Sequence, residues 1–158
     1  SESLASSFIL MVILAPLIEE MVFRGLLFSR LTKKWNMGGA MVVSSLAFGL
    51  LHMDPIGAFV FGIVACVLYT RTRTLLVPMV LHALNNLIVW ALMFTEGVGL
   101  NSEMDFASPE TLAQFTFEGL IAMIFGAPIV FFLLGRWWPS RGTPIPYEAN
   151  KNRLTTAS

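Results

Sequence analysis

LASSFILMVILAPLIEEMVFRGLLFSRL, residues 4–31, decides what kind of molecule this is. Apolar side chains run through it almost without a break, and as a helix rising about 1.5 Å per residue it exceeds the ~30 Å hydrocarbon core of a bilayer. Yet Glu19, Glu20 and Arg24 sit near its middle. An ionisable group at that depth costs at least a few kcal/mol, so each needs a partner or a task. A cleavable signal peptide has a uniformly apolar core and does not carry such groups. The stretch reads as a membrane helix with polar residues at work inside it, bent at Pro16, where the backbone loses a donor.

Outward from this helix the same pattern repeats. Apolar runs over about Met37–His52, Ile56–Tyr69 and Leu75–Phe94 predict three more helices, the second stopping at Asp54-Pro55. From Thr95 to Glu118 the chain turns polar and acidic. Ser108-Pro109-Glu110 then supplies a cap, a first-turn proline and an acid at the positive end of a fifth helix that runs to about Trp138. The expectation is an all-α, polytopic transmembrane bundle of about five helices over residues 1–138. A polar, disordered tail is predicted for 139–158, where Pro144 and Pro146 interrupt the chain. No Met stands at position 1, and the sequence reads as a fragment with upstream helices missing.

Composition agrees with a bilayer as solvent. Hydrophobic residues make up 56% and charged residues 13%, half the charge of an ordinary soluble domain. The net charge is zero and no basic run tracks phosphates, so nucleic acid is excluded as a partner. Cys66 is alone, which excludes an intrachain disulfide. If the helices alternate direction, Arg30, Lys33, Lys34, Arg71, Arg73, Arg136 and Arg141 fall on one side, and Asp54, Glu96, Glu103, Asp105, Glu110 and Glu118 on the other. The basic side is then cytoplasmic or its equivalent. This predicts an integral, multi-pass membrane protein.

The chemistry-bearing residues cluster. Glu20 and Arg24 share a helix face at i, i+4, so the guanidinium can neutralise and orient that carboxylate. Glu19 lies about 100° away around the axis and is left free to work. The two histidines, His52 and His82, both stand in or at the end of apolar helices, and Phe48 lies one turn before His52. His82 and Asn86 share a face, so an imidazole and an amide can converge on one substrate oxygen as oxyanion donors. A carboxylate and an imidazole to hold water, with two donors for a developing oxyanion, point to amide hydrolysis. Two other classes would use similar groups: a membrane peptide-binding or immunity protein without turnover, and a proton-coupled carrier. The carrier reading lacks paired half-repeats.

Three motifs stand in order: Glu19-Glu20-Met21-Val22-Phe23-Arg24 fits EExxxR, Phe48-Gly49-Leu50-Leu51-His52 fits FxxxH, and His82-Ala83-Leu84-Asn85-Asn86 fits HxxxN. The sequence thus resembles the CPBP family, named for CAAX proteases and bacteriocin-processing enzymes and also called the Abi family. Its members include type II CAAX prenyl endopeptidases. The resemblance implies an intramembrane endopeptidase acting on a membrane-associated peptide or protein, prenylated in some members. It implies that Glu19 and His52 activate water, that His82 and Asn86 form the oxyanion site, and that Glu20 and Arg24 support the first helix. No cofactor is the favoured expectation. The alternative is zinc on Glu19, His52 and His82 with a water in the fourth position, although no HExxH is present on one helix.

Overall fold

Among the described residues, 4–95, 126–140 and 142–156, the computed structural model contains helices and turns and no strand. The first helix, α1, runs unbroken over Leu4–Leu31. Pro16 does not end it, because the turns on either side are wide: residues Ile9–Leu14 and Met21–Phe28 are π-helical. An extra residue per turn relieves the clash between a proline ring and the preceding carbonyls. Serine hydroxyls then attach to carbonyls of the second wide stretch, Ser44 donating to Phe23 O at 2.9 Å and Ser29 to Arg24 O at 3.2 Å.

Helix α2 spans Met37–Gly49, capped by Asn36, whose side chain accepts the Gly39 N–H at 2.8 Å. Helix α3 spans Pro55–Thr72, with Asp54 accepting the Gly57 N–H at 2.9 Å and Pro55 in the first turn. These two form a tight hairpin. A Cβ on Gly49 would stand 2.6 Å from the Pro55 carbonyl oxygen, and one on Gly62 would stand 2.7 Å from Ser45 Cβ. This closeness ends α2 at Gly49, earlier than the sequence predicts. His52 therefore lies in the connecting turn, its N–H donating to Gly49 O at 3.0 Å.

Helix α4 spans Leu76–Thr95 and lies against α1 through a polar stripe at i, i+4, i+8. His82 meets Glu20, Asn86 Nδ2 donates to Met11 O at 2.9 Å, and Trp90 Nε1 donates to Ser7 Oγ at 3.3 Å. Beneath the stripe, Phe28, Ala40, Met41, Ile63, Cys66, Val67 and Tyr69 form the apolar core. Helix α5, Gly126–Trp137, is tied to α3 by Arg71, which donates to the carbonyls of Trp137 and Trp138 at 2.8 and 3.2 Å. The expected start of this helix at Ser108-Pro109-Glu110 lies outside the described residues.

The tail is a correction. Where the sequence predicts disorder over 139–158, residues Pro146–Thr156 form helix α6. Ile145, Pro146 and Ala149 bury their side chains, and Asn150 donates to the Arg73 carbonyl at 2.9 Å. A short apolar stripe hidden in a polar segment is enough to dock it on the end of α3.

Helices α1 and α3 are long and apolar enough to cross a membrane, and α2, α4 and α5 are apolar over shorter stretches. Ile9, Ile13, Leu17 and Met21, one turn apart on α1, face outward with about half of their surface exposed. A continuous apolar ridge of this kind suits lipid rather than water. The architecture is that of an all-helical membrane bundle.

Candidate active site

Glu20 is wholly buried and so is Arg24. The guanidinium Nη1 donates to Glu20 Oε1 at 2.8 Å. Phe48 lies under the same guanidinium, with Arg24 Cζ 4.4 Å from the ring centroid, and Phe61 lies 5.9 Å away. The π faces take up the cation where Nε and Nη2 have no hydrogen-bond partner among the described residues. Arg24 thus has an anionic neighbour and an aromatic bed, which offset the desolvation of its guanidinium in an apolar interior.

Both histidines are held by their Nδ1 atoms. His52 Nδ1 donates to the Phe48 carbonyl at 2.7 Å, and its ring packs on Phe48 with centroids 4.1 Å apart. His82 Nδ1 donates to Glu20 Oε1 at 3.1 Å, while Phe48 and Phe61 flank its ring at 5.7 and 5.0 Å. A carbonyl and an Arg-paired carboxylate can only accept, so each neutral imidazole carries its proton on Nδ1 and turns an Nε2 lone pair outward.

Those lone pairs converge on Glu19. Its Oε2 lies 3.5 Å from His52 Nε2 and 3.8 Å from His82 Nε2. That oxygen has no hydrogen-bond donor among the described residues. Glu19 and His52 are each about one-third exposed, whereas His82 is almost fully buried, so the mouth opens on the side of the α2–α3 turn. Three acceptor atoms facing one another repel unless a proton, a water or a cation stands between them. Glu19, His52 and His82 lie within 4.8 Å of one another as metal-type ligands. Two of their edges approach the ~3.4 Å separation that zinc bonds of about 2.0–2.1 Å impose in a tetrahedron. Each imidazole also has the outer acceptor that metal-ligating histidines usually have. The residues fit such an ion.

The structure therefore brings Glu19, Glu20, Arg24, His52 and His82 into one cluster. It also changes the relation between the two carboxylates. Although about 100° apart on the helix, they face opposite nitrogens of one imidazole, His82: Glu20 accepts from Nδ1 at 3.1 Å, and Glu19 Oε2 stands 3.8 Å from Nε2. Asn86 sits one turn further along α4, with one amide N–H engaged by Met11 O. Sequence reasoning missed three contributors: Phe61, Ser44 and the Met11 carbonyl. Phe61 and Ser44 belong to no motif, and a backbone carbonyl leaves no trace in residue identity.

A 34% identity over 80 residues links the chain to YdiL of Bacillus subtilis (strain 168), whose name calls it a membrane peptidase; the match covers 49% of this chain and 33% of that protein. The membrane-embedded CAAX protease MroQ of Staphylococcus aureus (strain USA300) is 38% identical over 84 residues, 47% of this chain and 34% of the relative. The matches thus span about a third of the length of these relatives. No solved structure matches. The family model described as type II CAAX prenyl endopeptidase Rce1-like matches residues 1–88, which hold all three motifs. With more than half of its length in that match, the chain belongs to the Rce1-like family of type II CAAX prenyl endopeptidases.

Proposed function

We propose that this chain is a multi-pass intramembrane endopeptidase that hydrolyses a peptide bond of a membrane-associated protein or peptide, with a lipidated substrate in scope. The observation that carries the reading is the convergence of Glu19 Oε2 with the two Nε2 lone pairs in a partly open mouth. A water there donates one O–H to Glu19 and the other to His52, whose orientation Phe48 fixes. Glu19 takes the proton as the water oxygen bonds to the scissile carbonyl carbon. The resulting oxyanion is met by the second N–H of Asn86 and by His82, which enters this step carrying a second proton, on Nε2, beside the one on Nδ1. As the C–N bond breaks, Glu19 returns its proton to the leaving nitrogen, giving an amine and a carboxylic acid, and the acid proton, the second from the water, passes to His52 Nε2 to leave a carboxylate. Glu20 and Arg24 hold His82 and touch no substrate. The basic ends of α1, α3 and α5 lie toward the cytoplasm in this reading.

The facing lone pairs favour a second version of the same chemistry, with zinc on Glu19, His52 and His82. Bound there, the ion would supply Lewis acidity and a water acidic enough to ionise near neutral pH. Cleavage by membrane-reconstituted protein after exhaustive chelation separates the two. Unchanged turnover supports water activated by Glu19 directly, and loss restored by zinc supports the metal version. In both, His52→Ala abolishes cleavage while the protein remains folded in detergent. Turnover that survives His52→Ala would sink the assignment of His52 to the water-activating site.

A further inference from the structure

The wide turn before Pro16 leaves one carbonyl without a backbone partner, and that carbonyl holds Asn86. The Ala15 N–H donates to Leu10 O, five residues back. In an α register it would have served Met11 instead. In the π register the next amide, that of residue 16, would serve Met11, but residue 16 is proline and has no N–H. Met11 O is therefore passed over by both amides that could reach it, and the Asn86 side chain donates to it from α4 at 2.9 Å. A carbonyl only accepts, so the amide nitrogen and not its oxygen must face α1. Pro16 itself is fully buried within the helix.

We propose that Pro16 is a positioning residue for Asn86: by orphaning the Met11 carbonyl, it fixes the rotamer of the amide and aims the second N–H of Asn86 at the reacting centre, one helical turn from His82. The role of that second N–H rests on the peptidase reading above, whereas the anchoring by Met11 does not. Restoring an amide at position 16 should release Asn86, because the helix can then satisfy its own carbonyl.

A double-mutant cycle on the full chain in detergent tests this with two readouts. In the thermal readout, Asn86→Ala lowers the unfolding midpoint by about 2–6 °C when Pro16 is present, the cost of an orphaned buried carbonyl. In Pro16→Ala the same change should cost less than half as much, since the alanine restores an N–H that can donate to Met11 O. Equal losses in both backgrounds would overturn the anchoring. In the kinetic readout, Pro16→Ala lowers kcat about tenfold or more with KM within about twofold, and adds nothing in the Asn86→Ala background. A further kcat loss of the same size in that background would overturn the positioning role. Should the double variant not fold, Asn86→Asp replaces Asn86→Ala, since a carboxylate cannot donate to Met11. If no variant cleaves while the thermal coupling persists, the peptidase reading fails and the anchoring of Asn86 by Met11 stands.

Discussion

Arg24→Met removes the guanidinium beside a carboxylate that water does not reach. Glu20 Oε1 accepts from Arg24 Nη1 at 2.8 Å and from His82 Nδ1 at 3.1 Å, and Glu20 Oε2 has no partner among the described residues. With the two side chains 1% and 0% exposed, solvent cannot replace what is lost. Breaking a buried pair from one side costs about 3–5 kcal/mol, roughly a fifth or more of the stability of a typical domain. For a chain of this size that is a fall of about 10 °C in the unfolding midpoint, followed by tryptophan fluorescence in detergent. Replacing both partners by apolar residues, Glu20→Leu with Arg24→Met, should recover most of the loss, because no buried charge then remains. Cleavage should stay low in that double variant, since His82 Nδ1 has lost its acceptor. An Arg24→Met midpoint within about 2 °C of wild type would refute the claim that this pair is desolvated.

Two other perturbations test the framework around the site. Gly62→Ala puts a Cβ 2.7 Å from Ser45 Cβ and 3.0 Å from Ser45 Cα, so α2 and α3 must separate at a cost of about 1–3 kcal/mol; a midpoint equal to wild type in a detergent melt would argue against so close a crossing. Ser44→Ala deletes the buried bond to the Phe23 carbonyl at 2.9 Å, with an expected loss of about 1 kcal/mol and lower turnover, since this bond ties the helix of the carboxylates to α2; unchanged stability and kcat would count against that tie.

Much of this arrangement is legible in the sequence because hydropathy and i, i+4 spacing carry it. The expense of burying Glu20 and Arg24 makes them partners on spacing alone, and the pairing of Phe48 with His52 follows from the same spacing. The apolar runs, ended by Asp54-Pro55 and by basic residues, mark the helices and most of their boundaries. What escapes depends on backbone register. The wide turns around Pro16 and Glu20 have no residue signature, and without them the placing of both carboxylates beside His82 and the orphaned Met11 carbonyl are invisible. The sequence puts His52 at the end of a helix because nothing in Gly49 reveals how closely Pro55 approaches it. It suggests disorder in the tail because prolines and polar residues outweigh Ile145 and Ala149, whose burial depends on a docking surface the local sequence does not contain.

The most direct test of the central claim is cleavage of a pooled peptide library, prenylated and unprenylated, by the purified chain in detergent made up in ¹⁸O-labelled water, with wild type set against Glu19→Gln. The expected result is a new C-terminus carrying one ¹⁸O atom for wild type, and no product from a folded Glu19→Gln variant. Product formed at the wild-type rate by Glu19→Gln would contradict the assignment of Glu19 as the group that activates the water.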